Sequence, residues 1–294
     1  MNSGRKTENI SNVLLRVPIL TYAIITVSLP GAALFLCFVT AVIFQYEDVN
    51  DTQCNVTNFV PSISAVTGIR PQTYLWRICI ALHSAPRFAI AVVYFNYYKN
   101  LQHLISTKYL TLFNVLLHVN FWFNTIENSS LVGVTYISNK ENYPVHEKIF
   151  IVFMVLSLCY MLINTILFRW TRTSTLTPDE KQSFKWKTIM FLANFWATMG
   201  LLYFFVLHRF YCRPLAFSGF SVCEYIIGYT NMAYHFTAYL DFKHLTLNTK
   251  SVIYISKLVL SIEVKLPTNT DCHSTKQINI IKSTILFWTQ IEEV

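Results

Sequence analysis

The chain has 294 residues, 53% hydrophobic, 16% aromatic and only 13% charged, with a net charge of +8. Soluble domains carry about 25% charged residues, so the composition excludes a soluble globular protein. The basic residues are scattered and form no cluster on a soluble element, which argues against a nucleic-acid partner.

The apolar residues fall into six blocks: 17–44, 74–98, 109–137, 149–170, 188–207 and 217–240. Each reaches about 20 residues, enough to cross a hydrocarbon layer of about 30 Å as helix. None alternates with period two, so the strands of a membrane barrel are excluded. The expected fold is all-α: a polytopic membrane bundle of about six transmembrane helices over residues 1–242, with no soluble domain. Residues 243–294 are read as a cytosolic tail of uncertain structure. The first block starts too late and runs too long for a cleaved signal peptide and is kept as the first span, with a kink expected at Pro30-Gly31.

Basic residues set the orientation. A cytosolic N-terminus puts Arg5, Lys6, Arg16, Lys99, Lys108, Arg172, Lys181, Lys185 and Lys187 on one side, and Arg70, Lys140, Lys148, Arg209 and Arg213 on the other. Six spans then return the C-terminus to the cytosol. The opposite side reads as secretory lumen, and its longest loop, 45–73, holds the sequon Asn55-Val56-Thr57. The sequons at Asn9 and Asn128 fall in the cytosolic tail and inside the third block. Of seven cysteines, Cys37, Cys79, Cys159 and Cys223 lie in spans, and no C-x-x-C pair is present. Cys54 and Cys212 are the two in luminal loops, where an oxidising compartment favours a disulfide; two free thiols are the alternative.

Charged groups at bilayer depth cost several kcal/mol unless paired or hydrated. The second block carries Arg77, His83, Ser84 and Arg87 on one helical face, and the third carries Asn120, Asn124, Glu127 and Asn128. The sixth carries Glu224, Gly228, Asn231 and His235 at i, i+4, i+7 and i+11. Two arginines and two glutamates form a neutral set, expected to meet between these three helices. The set reads either as interhelical glue or as a lipid site. In the second case His83, Glu127, Glu224 and His235 are the catalytic candidates, and Arg77, Arg87 and Asn231 hold lipid or phosphate. His118, Asn164 and Asn194 read as single interhelical hydrogen bonders.

Familiar motifs are missing. There is no G-x-S-x-G elbow, P-loop or H-E-x-x-H, and His235 and Asp241 miss the H-x4-D spacing of one acyltransferase class. No cofactor is implied. A metal site from His83, His118 and His235 lacks local ligand spacing.

Several runs carry a resemblance: Cys54-Asn55-Val56, Pro61-Ser62-Ile63-Ser64-Ala65, Tyr74-Leu75-Trp76-Arg77 and Leu82-His83-Ser84-Ala85-Pro86-Arg87-Phe88. Val145-His146-Glu147, Ile151-Val152-Phe153, Glu224-Tyr225 and Thr230-Asn231-Met232-Ala233-Tyr234-His235 extend it over about 12–242. The chain resembles the post-GPI-attachment factors of the DRAM/Sfk-type membrane protein family. The resemblance implies a role in remodelling the lipid of glycosylphosphatidylinositol (GPI) anchors, with reacylation of lyso-GPI by a saturated chain before surface display. It implies residence in the Golgi membrane, with the endoplasmic reticulum membrane second. The implied partners are GPI-anchored proteins, lyso-GPI, and an acyl donor lipid or acyl-CoA. A non-catalytic scaffold or lipid-binding regulator is the alternative. The agreement ends after Phe242; the patches at 252–260 and 278–288 are too short to span and read as a membrane-surface segment or as a tail without defined structure.

Overall fold

A computed structural model describes residues 12–52, 54–172, 175–243, 246–254, 257–265 and 284–285, with side chains within 18–243. The Asn9 sequon, Arg5, Lys6 and most of the patch at 278–288 lie outside the described residues. The chain divides into two units, residues 23–241 and the two terminal segments.

Six long helices build the first unit: α1 (Ile19–Phe44), then after two short helices, α2 (Tyr46–Asn50) and α3 (Ile63–Gly68), α4 (Gln72–Asn100), α5 (Leu110–Tyr136), α6 (Tyr143–Trp170), α7 (Pro178–Tyr211) and α8 (Ala216–Phe236). A single turn, α9 (Ala238–Phe242), follows. The helices starting at Ile19, Gln72, Tyr143 and Pro178 are long and apolar enough to cross a membrane, which makes this a multi-pass membrane protein. α5 has 27 residues and α8 has 21. At about 1.5 Å per residue both reach across a bilayer, but their polar seams lower their hydropathy.

The side chains are distributed for lipid. Glu127, Asn128, Asn164, Lys187 and Asn194 are buried, while Phe35, Ile78, Leu82, Trp122 and Trp196 are more than half exposed. Water would reverse that arrangement; hydrocarbon rewards it. Consecutive helices from α4 to α8 pack on one another, and α3 sits against α4 and α8. Where α7 meets α8, a Cβ on Gly219 would lie 2.7 Å from the Phe204 ring, so only glycine admits this close approach.

Capping residues set several ends. Thr177 and Glu180 form a reciprocal capping box with Pro178 in the first turn, so α7 begins ten residues before the apolar block. α7 closes at Cys212, whose φ of 45° is left-handed. Cys54 and Cys212 are joined by a disulfide. That bond fastens the loop before α3 to the α7–α8 corner, assisted by Leu215 N–H to the Thr57 carbonyl (2.9 Å) and by Phe59 N–H to Ser218 Oγ (2.9 Å). Asn55 is exposed beside this tether.

The terminal segments form an antiparallel sheet in the order β1 (Asn12–Pro18), β2 (Thr246–Tyr254), β3 (Lys257–Lys265) and β4 (Thr284–Ile285). Asn12 pairs with Ser251, Leu247 with Val264 and Leu260 with Ile285. Helix therefore starts at Ile19, two residues later than the apolar block. Within the 252–260 patch, residues 252–254 and 257–260 belong to two paired strands.

Lys187, expected in a cytosolic loop, is fully buried. Its ammonium meets Asp241 (2.7 Å), Thr237 Oγ1 (2.6 Å) and Ser183 Oγ (3.1 Å), and Tyr94 donates to the same carboxylate (2.6 Å). Both side chains of the pair are 0% exposed. Removing one partner of such a pair strands the other, at about 3 to 5 kcal/mol. Lys187→Met should therefore lower the thermal midpoint in detergent sharply, and Lys187→Met/Asp241→Leu should recover much of it. A single variant as stable as the parent would show that the pair contributes nothing.

Candidate functional site

The polar residues expected to form one four-charge cluster separate into three places. In the interior, Arg87 of α4 donates through Nη2 to Glu127 of α5 (3.0 Å), with side chains 3% and 0% exposed. The same nitrogen meets His235 Nε2 of α8, whose ring stacks on Tyr160 with an interplanar angle of 7°. Asn231 Nδ2 donates to Glu127 Oε1 and to Ser157 Oγ, each at 2.7 Å. Arg87, Glu127, Asn231 and His235 are thus brought together, and the arginine charge is answered by a carboxylate inside the bundle. Nε and Nη1 of Arg87 have no partner among the described residues.

Arg77 stands elsewhere, a correction to the expected four-charge set. Its guanidinium bonds the Tyr136 carbonyl (3.0 Å) and pairs with Glu141 (2.8 Å) in the loop between α5 and α6. The α5 terminus leaves carbonyls without helical donors, and Arg77 supplies one. Hydrogen bonds from Arg77 and Ser138 hold the Glu141 carboxyl down at about 2, so it stays ionised at any physiological pH. Arg77 therefore caps a helix end.

Glu224 occupies the third place and is the second departure, since among the described residues it meets no arginine. Its Oε2 accepts from Ile63 N–H (2.7 Å) and its Oε1 lies 3.4 Å from Ser64 Oγ. The carboxylate thereby clamps the short α3 turn, which Ser62 caps by accepting from Ala65 N–H. Around this turn lies a cavity of about 90 Å³ with a mostly apolar wall, into which Ser64, His83, His146, Glu224 and Asn231 project.

Both cavity histidines are oriented by backbone. His83 Nδ1 is 2.6 Å from the Thr26 carbonyl. A carbonyl only accepts, so Nδ1 carries the hydrogen and Nε2 is left as the acceptor. That carbonyl would normally bond the N–H four residues on, which is Pro30, and proline has none. His83→Ala therefore removes a donor to the Thr26 carbonyl. His146 Nδ1 donates likewise to the Ile137 carbonyl (2.7 Å), and Ser64 Oγ stands 3.0 Å from His146 Nε2.

Ser64 and His146 are functional candidates absent from the sequence-based expectations. Both lie in runs that carry the family resemblance, but 82 positions separate them and only the fold joins them. His118 bonds its own helix at the Asn114 carbonyl and packs on Phe95, so among the described residues its hydrogen bond stays within α5. Asn164 does bridge helices, to Tyr98 and Tyr234, and Asn194 reaches Thr230 and the Ile227 carbonyl. Among the described residues no group of three or more His, Cys, Asp or Glu is placed to hold a metal ion. Asn128 is buried and donates to the Ser84 carbonyl, which removes it as a glycan acceptor.

The architecture defines a multi-pass membrane protein with a polar interior and a cavity at its disulfide-bonded end. The chain belongs to the family described as Frag1/DRAM/Sfk1/Cwh43P N-terminal domain, which matches residues 19–245. A Drosophila melanogaster protein named post-GPI attachment to proteins factor 2-like is 52% identical over 221 residues, covering 74% of this chain and 68% of its own. A Xenopus tropicalis protein named acyltransferase PGAP2 is 36% identical over 236 residues, covering 80% and 92%. A Caenorhabditis elegans post-GPI attachment to proteins factor 2 is 31% identical over 264 residues, covering 88% and 96%. No solved structure matches the chain.

The interior pair yields a direct test. Glu127→Gln leaves Arg87 uncompensated, which should cost about 3 to 5 kcal/mol and be read as loss of steady-state protein. Arg87→Leu/Glu127→Leu should restore abundance. Normal abundance of Glu127→Gln would mean that water reaches Arg87.

Proposed function

We propose that this protein remodels the lipid of GPI anchors by transferring a saturated acyl chain to the hydroxyl of lyso-GPI. The cavity carries the reading: an apolar wall suits acyl chains, and its hydroxyl, carboxylate and imidazole groups suit proton transfer at an ester. The names of the relatives point the same way. In this reading His83, whose Nε2 is left as an acceptor on a cavity-lining ring, accepts a hydrogen bond from the lyso-GPI hydroxyl and orients it for transfer. Arg87, already neutralised by Glu127, organises the floor beneath it through Asn231. The seat of action is the Golgi membrane. The disulfide-bonded end faces the lumen, because only an oxidising compartment keeps that bond, and Asn55 on the same loop is the proposed glycan acceptor.

His83→Asn separates orientation of the hydroxyl from structure, since its Nδ2 can still donate to the Thr26 carbonyl while the acceptor nitrogen is gone. In cells lacking the protein, His83→Asn should accumulate normally. GPI-anchored proteins should nevertheless retain lyso or unsaturated anchors, by mass spectrometry of the released lipid, and reach the surface poorly. Fully saturated anchors in these cells would remove His83 from the chemistry. Altered anchors would be absent altogether if the protein is a scaffold.

This orientation also puts both termini in the cytosol. Tags at each end should react with antibody after selective permeabilisation of the plasma membrane. Protection of either tag would refute it.

A further inference from the structure

We infer that Ser64 is an acyl-accepting nucleophile activated by His146, and that its acyl donor is a membrane glycerophospholipid; this inference rests on the acyl-transfer reading above. Ser64 Oγ is 3.0 Å from His146 Nε2, while His146 Nδ1 is engaged by the Ile137 carbonyl at 2.7 Å. In the neutral ring this fixes the hydrogen on Nδ1 and turns the lone pair of Nε2 toward the serine hydroxyl. That is the arrangement of a nucleophile beside an oriented base. His146 is buried, and both residues border the cavity. Glu224 holds the turn on which Ser64 sits through Ile63 N–H.

The donor class follows from charge and place. Among the described residues no lysine or arginine borders the cavity, so the phosphates of an acyl-CoA would meet no counter-charge there. The disulfide-bonded end on which Ser64 lies is the proposed luminal end, away from cytosolic thioesters. A glycerophospholipid presents its acyl ester from within the bilayer and needs no such charge.

Two balanced steps result. Ser64 Oγ attacks the donor carbonyl carbon, and its proton passes to His146 Nε2. The ester C–O bond breaks, the glycerol oxygen takes that proton, and a lysophospholipid leaves with the acyl chain on Ser64. The hydroxyl of lyso-GPI then attacks the acyl-serine and gives its proton to His146. The Oγ–C bond breaks and the proton returns to Ser64, restoring the starting state.

The full chain, purified and placed in phosphatidylcholine liposomes with radiolabelled acyl groups, is treated with a hexadecyl fluorophosphonate in one arm and with lyso-GPI in another. The expected result is fluorophosphonate on Ser64 by peptide mapping. Ser64→Ala should abolish it and His146→Gln reduce it at least tenfold, with an intact Cys54–Cys212 bond confirming folding. Ser64→Cys guards against loss of fold: it should trap acyl label as a thioester cleaved by neutral hydroxylamine, whereas the parent label resists that treatment. Reacylation at parental rate by Ser64→Ala overturns the nucleophile and leaves the GPI reading standing. Labelling of Ser64 with no transfer to lyso-GPI overturns the GPI reading and keeps the nucleophile. Neither label nor transfer by the parent chain overturns both, and transfer that requires added acyl-CoA overturns the donor class.

Discussion

Everything in this bundle depends on the absence of water as a hydrogen-bonding partner in hydrocarbon. Each polar group at that depth must find its partner inside the protein, so the buried ones tie helices together. Arg87, Glu127, Asn231, Ser157 and His235 connect α4, α5, α6 and α8. Lys187 and Asp241 bind α7 to the turn after α8, and Tyr94 of α4 reaches the same carboxylate. Packing between large apolar side chains contributes less specificity here, because lipid tails offer those side chains an equivalent contact.

The cavity lies where this rule is relaxed. Around α3 the chain is neither fully helical nor exposed, and the Ile63 N–H that opens the turn is met by Glu224 rather than by a helical carbonyl. Irregular backbone at the border of a membrane protein is stable only when protein surrounds it. Here the Cys54–Cys212 bond and the Ser218 hydroxyl supply that enclosure. The same irregularity gives side chains from α4, α6 and α8 and a residue of the short α3 turn access to one small volume, which no continuous helix would allow.

Much of this was legible in the residues alone. Hydrophobic block length is a local property, and so is spacing along one helix, so the six helices and the buried faces at 83, 84, 87, at 124, 127, 128 and at 224, 231 could be read directly. Which charge answers which could not be. By count of residues Arg77 and Glu127 fall in the same half of the bundle, yet Arg77 turns to Glu141, because the end of α5 offers free carbonyls nearby. Lys187 looked like an orientation signal because its partner Asp241 is 54 positions away. Ser64 and His146 escaped for the same reason: a serine in a short turn and a histidine near a helix start carry no joint pattern until α3 and α6 are set side by side. The strands β1 and β2 pair residues from opposite ends of the chain, a relation that no local periodicity encodes.

Pro30 offers a last consequence. By withholding an N–H from its own helix, it leaves the Thr26 carbonyl to His83 on α4, and that bond decides which ring nitrogen carries the proton. The tautomer of one imidazole is thus specified by a missing hydrogen on another helix. An alanine in place of Pro30 would draw the carbonyl back into the α1 ladder, release the ring to flip, and exchange an acceptor for a donor at the cavity without touching any residue that lines it except Pro30 itself.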